Sequence, residues 1–182
     1  KTLAQGTPAE LLLQTVRRLE PTSEQNLLQT VGLDGATAVS ALTELVESGQ
    51  VVRLEQQLIS QAGWQALVSQ LTQLVADFHK SYPLRLGIPR EELRSRLKLK
   101  AVVFNPLLAQ AAAENLLTEA GTLVHAPGHE VRFSPQQQAR IDALQREFSR
   151  LGINSPSVKE CKTAVGEDVY FALIDLGQLR PI

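Results

Sequence analysis

Three times along the chain an amphipathic helical segment closes on a glycine and runs into a short apolar stretch. The three are Leu45-Val46-Glu47-Ser48-Gly49-Gln50-Val51-Val52, Leu117-Thr118-Glu119-Ala120-Gly121-Thr122-Leu123-Val124 and Ile174-Asp175-Leu176-Gly177-Gln178-Leu179. Glycine tolerates the left-handed backbone that stops a helix, and an apolar run after it starts a strand. A pattern that recurs with the same neighbours describes a repeated module, not one large core.

Each glycine is preceded by two further helical segments. In the first module Pro8 opens a helix with Leu11, Leu12, Val16 and Leu19 on one face, and Pro21 ends it. Thr22 and Ser23 can cap a short second helix that closes at Gly32, and Asp34 caps a third with Val39, Leu42, Leu45 and Val46 inward. Residues 51–54 and 57–60 then alternate as a hairpin. The second module begins with a long helix over 61–81 carrying Leu67, Leu71, Leu74 and Phe78, stopped by Tyr82-Pro83. A second helix starts near Pro89 with Leu93 and Leu97. A third runs from about 101 to Glu119, with Pro106 tolerable only in its first turn. Strands are expected at 122–125 and 130–133 around Pro127-Gly128. The third module opens at Ser134-Pro135, turns Ile141, Leu144 and Phe148 inward, and repeats the short second helix after Ser155-Pro156-Ser157 and the third over 167–176.

Helix, short helix, helix and hairpin in that order make a winged helix. The reading is a mostly α protein with small β-hairpins (α+β): tandem winged helices in an elongated arrangement, at 1–60, 61–133 and 134–182, the last with an incomplete wing. Composition agrees. Aromatics are only 4% of residues, which disfavours a β-sandwich or barrel, and Leu, Ala, Gln and Glu favour helix. One cysteine, Cys161, excludes an internal disulfide. No run approaches the ~18 apolar residues of a membrane span, and no signal peptide precedes the first helix. With Lys1 first and no Met, the chain reads as part of a longer protein. Ser60-Gln61 leads straight into the next helix, so a fixed junction is expected there. Phe133-Ser134-Pro135 is equally short but has fewer apolar neighbours, so any hinge is expected between the second and third modules.

The net charge of -1 conceals a gradient. Residues 79–100 carry seven Lys or Arg against two acids, whereas 1–78 carry four against eight and 101–182 seven against nine. Arg90, Arg94, Arg96, Lys98 and Lys100, with Lys80 and Arg85 nearby, are the candidate phosphate contacts, since such contacts need cations on one exposed face. The plainer alternative is a solvated helix surface with Glu91 and Glu92 offsetting part of the charge.

Two stretches are more specific than the repeat: Asp77-Phe78-His79-Lys80-Ser81-Tyr82-Pro83-Leu84-Arg85-Leu86-Gly87-Ile88-Pro89-Arg90-Glu91-Glu92-Leu93-Arg94-Ser95-Arg96-Leu97, and Pro127-Gly128-His129-Glu130-Val131-Arg132-Phe133-Ser134-Pro135. With the order of the modules they closely resemble the C-terminal region of SelB, the bacterial selenocysteine-specific translation elongation factors. The resemblance implies a cytoplasmic, monomeric arm that positions, and assists recognition of, the mRNA selenocysteine insertion hairpin on the ribosome. It also implies that GTP, Mg and selenocysteyl-tRNA are bound by an N-terminal part. No phosphate-binding G-x-x-x-x-G-K-[ST] loop is present in this chain, and a complete fourth winged helix, the main RNA reader of the family, is not present either.

No catalytic, cofactor or metal site is expected, and the chain is not read as an enzyme. His125 and His129 flank a turn without a further ligand, and a role in the wing is expected for His129. Cys161 reads as a small buried hydrophobe. Glu91-Glu92 and Glu167-Asp168 stand in first helical turns, where acids complement the dipole. Two other functions are compatible with tandem winged helices: a DNA-binding winged-helix transcription regulator and a protein–protein interaction scaffold. Residues 34–48 and 101–119 hold acids and no Lys or Arg, which opposes the DNA reading.

Overall fold

In the computed structural model, which describes residues 6–180, those residues form helices and two three-stranded antiparallel sheets. Helix α1 (Pro8–Leu19) is held at its start by a capping box in which Thr7 and Glu10 bond each other's backbone amides. Strand β1 (Thr22–Ser23) leads into α2 (Glu24–Val31), capped by Ser23, and α3 (Gly35–Glu47) is capped by Asp34. Strands β2 (Val51–Leu54) and β3 (Gln57–Ser60) form the hairpin, and β1 pairs with β3. Helix α4 (Gln61–Ser81) begins on the next residue. After it come β4 (Ile88–Pro89), α5 (Arg90–Leu97), α6 (Ala101–Ala113), β5 (Thr118–Ala120) and β6 (Leu123–His125). The last helices are α7 (Pro135–Leu151), α8 (Val158–Val165) and α9 (Glu167–Asp175).

The chain divides into two compact units, one of Lys1–Leu71 with Arg94–Glu114 and one of Thr72–Leu93 with Asn115–Ile182. In the first, Leu12, Val16, Leu27, Ala38, Leu42, Leu45, Val51 and Leu58 form a core from three helices and the hairpin, and α6 packs against β2. Fully burying each leucine is worth about 2 kcal/mol. Glu20, just past α1, accepts hydrogen bonds from the amide and hydroxyl of Ser60, so the entry to α4 is tied down. Leu11 and Val39, both expected to face inward, are 40% and 48% exposed. The buried stripes are Leu12 and Val16 on α1 and Ala38, Ala41, Leu42 and Leu45 on α3.

In the second unit Ile141, Leu144, Cys161, Val165, Val169, Tyr170 and Leu173 form a core from α7, α8 and α9. Sheet β4–β6–β5 lies in the same unit, and there Gly87 is required. A Cβ at that position would stand 2.5 Å from the carbonyl oxygen of Val124.

The second module differs from its expected outline in four ways. Its third helix ends at Ala113, not Glu119, because Asn115 takes the left-handed conformation (φ 57°). Gly121, read as a helix terminator, is the hairpin turn (φ 61°), so the strands are 118–120 and 123–125, and 130–133 is not a strand. Pro106 is buried inside α6, beyond the first turn, where its ring removes the amide that would reach the Val102 carbonyl. Pro89 belongs to β4, and α5 starts at Arg90. In the third module Gly177 (φ 69°) closes α9, and no strand follows among the described residues. Pro181 and Ile182, expected in its first wing strand, lie outside them.

Candidate nucleic-acid interface

The basic run does not form a single cationic face. Arg90 and Arg94 stand one turn apart on α5, and Arg96 projects from the opposite side, since two helical steps turn through about 200°. Lys98 occupies a left-handed position (φ 55°) just past the helix, and Lys100 is the N-cap residue of α6. Arg96, Lys98 and Lys100 are exposed and Arg94 is half-buried. Arg90 is engaged with Glu119 of β5, an ion pair that fastens α5 to its sheet. The neighbouring cations are also committed: Lys80 lies 3.6 Å from Asp77, and Arg85 is bound to Asp175. Glu91 and Glu92 sit in the first turn of α5, and Glu167 and Asp168 in that of α9, as the helix dipole favours.

The second unit holds a network that no local pattern announces. Arg85 donates from Nε and Nη2 to the two carboxylate oxygens of Asp175, at 2.6 and 3.1 Å, and the Leu86 amide donates to the same carboxylate at 3.2 Å. The guanidinium stands 5.4 Å from the Phe171 ring centre. Leu84 and Phe133 pack on the α7–α9 core. The segment after α4 is therefore bound to α9 by a bidentate ion pair and apolar contacts, where a hinge between the second and third modules was expected. Phe133 and Leu84 supply the apolar surface of this junction.

Three histidines converge behind Arg85. His79 Nε2 accepts the Ala126 amide at 3.1 Å, the His79 and His129 rings stack with centroids 3.5 Å apart, and His129 Nε2 lies 3.0 Å from the Arg85 carbonyl. Partial burial, with His129 and His125 adjacent, pushes the His79 pKa down to about 4. The cluster supports the loop after β6. Among the described residues no group of His, Cys, Asp and Glu is arranged to hold a metal. Cys161 is buried, and burial pushes its thiol pKa up, the opposite of an activated nucleophile. Among the described residues no helix is long and apolar enough to cross a membrane.

The winged-helix family model of elongation factor SelB matches residues 72–125, the stretch from the later turns of α4 through β6. Among solved structures, the chain is similar to the mRNA-binding domain of elongation factor SelB from E. coli in complex with SECIS RNA. That similarity has a TM-score of 0.52 at 12% identity and covers 69% of this chain and 99% of that one. A search of curated protein sequences gave no match. At that identity the structural likeness speaks for the fold, while the family match rests on the sequence of the second module. Residues 72–125 thus match a winged-helix domain of the SelB family, in a chain whose fold is similar to that of a SelB mRNA-binding domain.

Proposed function

We infer that this chain is an RNA-binding arm of a selenocysteine-specific elongation factor. It places and assists recognition of the mRNA selenocysteine insertion hairpin on the ribosome, in the cytoplasm and as a monomer. The observation that carries the reading is the SelB family match over 72–125. The E. coli neighbour, a SelB mRNA-binding domain in complex with SECIS RNA, supports it through the fold. Modules bounded at 1–60, 61–133 and 134–182 suit such an arm. GTP, Mg and selenocysteyl-tRNA belong, on this reading, to a separate GTPase part.

Arg90, Arg94, Arg96, Lys98 and Lys100 are the proposed backbone contacts, and Arg90 also pairs with Glu119. Neither α3 nor α6 contains a Lys or Arg, so duplex DNA read by the third helix is disfavoured.

The test is anisotropy of a labelled insertion hairpin titrated with the chain across a range of salt. Micromolar binding that weakens with salt is expected. The combined change Arg94→Glu, Arg96→Glu and Lys98→Glu should weaken it at least tenfold and flatten the logarithmic salt slope by about 2. An unchanged affinity and slope would return the run to an ordinary solvated surface. Nanomolar, sequence-specific binding of duplex DNA would overturn the assignment.

A further inference from the structure

The second compact unit contains a cleft that the phosphate contacts do not use. Tyr82 closes α4, its amide bonded to the Phe78 carbonyl at 2.8 Å, and Pro83 prevents the helix from continuing. Its ring lies 5.0 Å from the buried Phe78 ring, tilted by 43°, and remains 50% exposed. An aromatic ring backed by one ring and open to solvent is a stacking platform. Beside it lies a cavity of about 180 Å³ lined by Ser81, Tyr82, Pro83, Leu84, Arg85 and Asp168. Arg85 is immobilised by Asp175 and Phe171, and its Nη1 makes no bond to that carboxylate. Asp168 stands in the first turn of α9 with an exposed side chain. The wall therefore offers one flat apolar face, one fixed cation and one carboxylate.

We propose that this cleft takes a single unstacked guanine of the bound RNA, stacked on Tyr82 and bonded through its N1–H and 2-amino group to the Asp168 carboxylate. The proposal rests on the RNA-binding reading and names what this site would read. Single-stranded bases stack on exposed aromatic side chains and are recognised on their Watson–Crick edges, whereas a duplex cannot enter so small a space. An ionised carboxylate only accepts hydrogen bonds. Guanine alone among the four bases presents two adjacent donors to it. Uracil has a single N–H between two carbonyls, and adenine and cytosine have one amino group beside an acceptor. The base edge meets Asp168 while the phosphates stay outside, so the acid does not oppose the backbone directly.

Two measurements test this on the whole chain. The first follows amide shifts of Ser81, Tyr82, Arg85 and Asp168 on adding guanosine monophosphate, adenosine monophosphate or arginine methyl ester. Guanosine monophosphate should shift them at several-fold lower concentration than the adenosine compound. Tyr82→Ala should abolish the response and Tyr82→Phe keep it, while Asp168→Asn should erase only the preference for guanine. No shift, equal response to both nucleotides, or response to arginine alone would overturn the site, the last assigning it to a cationic protein partner. The second replaces each guanine of the insertion hairpin, one at a time, with inosine, which lacks the 2-amino group. One replacement should weaken binding several-fold in the parent and not in Asp168→Asn. A hairpin that binds equally well to parent, Tyr82→Ala and Asp168→Asn overturns the guanine site and leaves the RNA reading intact. A hairpin that does not bind the parent removes both.

Discussion

His79 condenses the physics of the second unit into one side chain. Because Nε2 accepts the Ala126 amide, the ring proton sits on Nδ1, which is buried with no hydrogen-bond partner among the described residues. Partial burial, with His129 and His125 adjacent, disfavours the protonated ring, so the folded chain holds the neutral form and the pKa falls to about 4. Unfolded, the same imidazole titrates near its ordinary 6.5. Between those values the unfolded chain binds the extra proton. The contribution of His79 to stability is therefore complete above about pH 6.5 and is lost as pH falls towards 4. Urea unfolding of the parent and His79→Gln across pH 4–7 should show a slope of up to one proton in the parent that is missing in the variant. Equal slopes, or a His79 titration near 6.5 by NMR, would contradict this. The sequence could not disclose it. His125 and His129 are four residues apart and visibly flank a turn, but His79 comes from α4, and no short-range period says that the loop folds back onto it.

Elements were legible where the chemistry that ends them is local. Ser23, Asp34 and Ser134 cap α2, α3 and α7 as their position before an amphipathic run requires. Gly49 and Gly177 close α3 and α9 with the same pair of bonds. In each helix the glycine amide bonds the carbonyl three residues back, and the following glutamine bonds the one five back, at 2.9–3.1 Å. The second module departs from this because asparagine does the glycine's work. Asn115 tolerates the left-handed region through its short polar side chain, so α6 stops early and the sheet moves forward by several residues. A reader looking for glycine takes Gly121, the next one available, and shifts both strands. The substitution Asn115→Gly should be neutral or stabilising by a few tenths of a kcal/mol, whereas Asn115→Ala should cost about 1 kcal/mol. Thermal melts of the two variants decide the matter. A glycine variant less stable than the alanine variant would mean that the Asn115 side chain, not its backbone, holds the corner.

For the molecule as a whole the consequential contact is Arg85 with Asp175, ninety positions apart in sequence. Charge counting sees seven cations in 79–100 and treats Arg85 as one more candidate for phosphate. Only the fold brings it to a carboxylate whose side chain is 7% exposed, with the Leu86 amide as a further donor. An arm that places a reading surface at a distance transmits position only if its modules hold their angle. On the proposed function, that task falls within the second unit to this pair, with Leu84 and Phe133 on the α7–α9 core. Arg85→Met leaves Asp175 charged and nearly buried without its partner, a loss of about 3 kcal/mol. Arg85→Met with Asp175→Leu removes both charges and should recover much of that stability, yet not the fixed geometry, because directional bonds are replaced by apolar contact. Spin labels at Thr122→Cys and Gln145→Cys, with Cys161→Ala, report on this directly. The parent should give one narrow distance distribution. Arg85→Met should broaden it, and the double replacement should leave it broad even where its melting temperature has returned. A narrow distribution in all three would show that apolar packing alone sets the angle, and the ion pair would then be only one more contributor to stability.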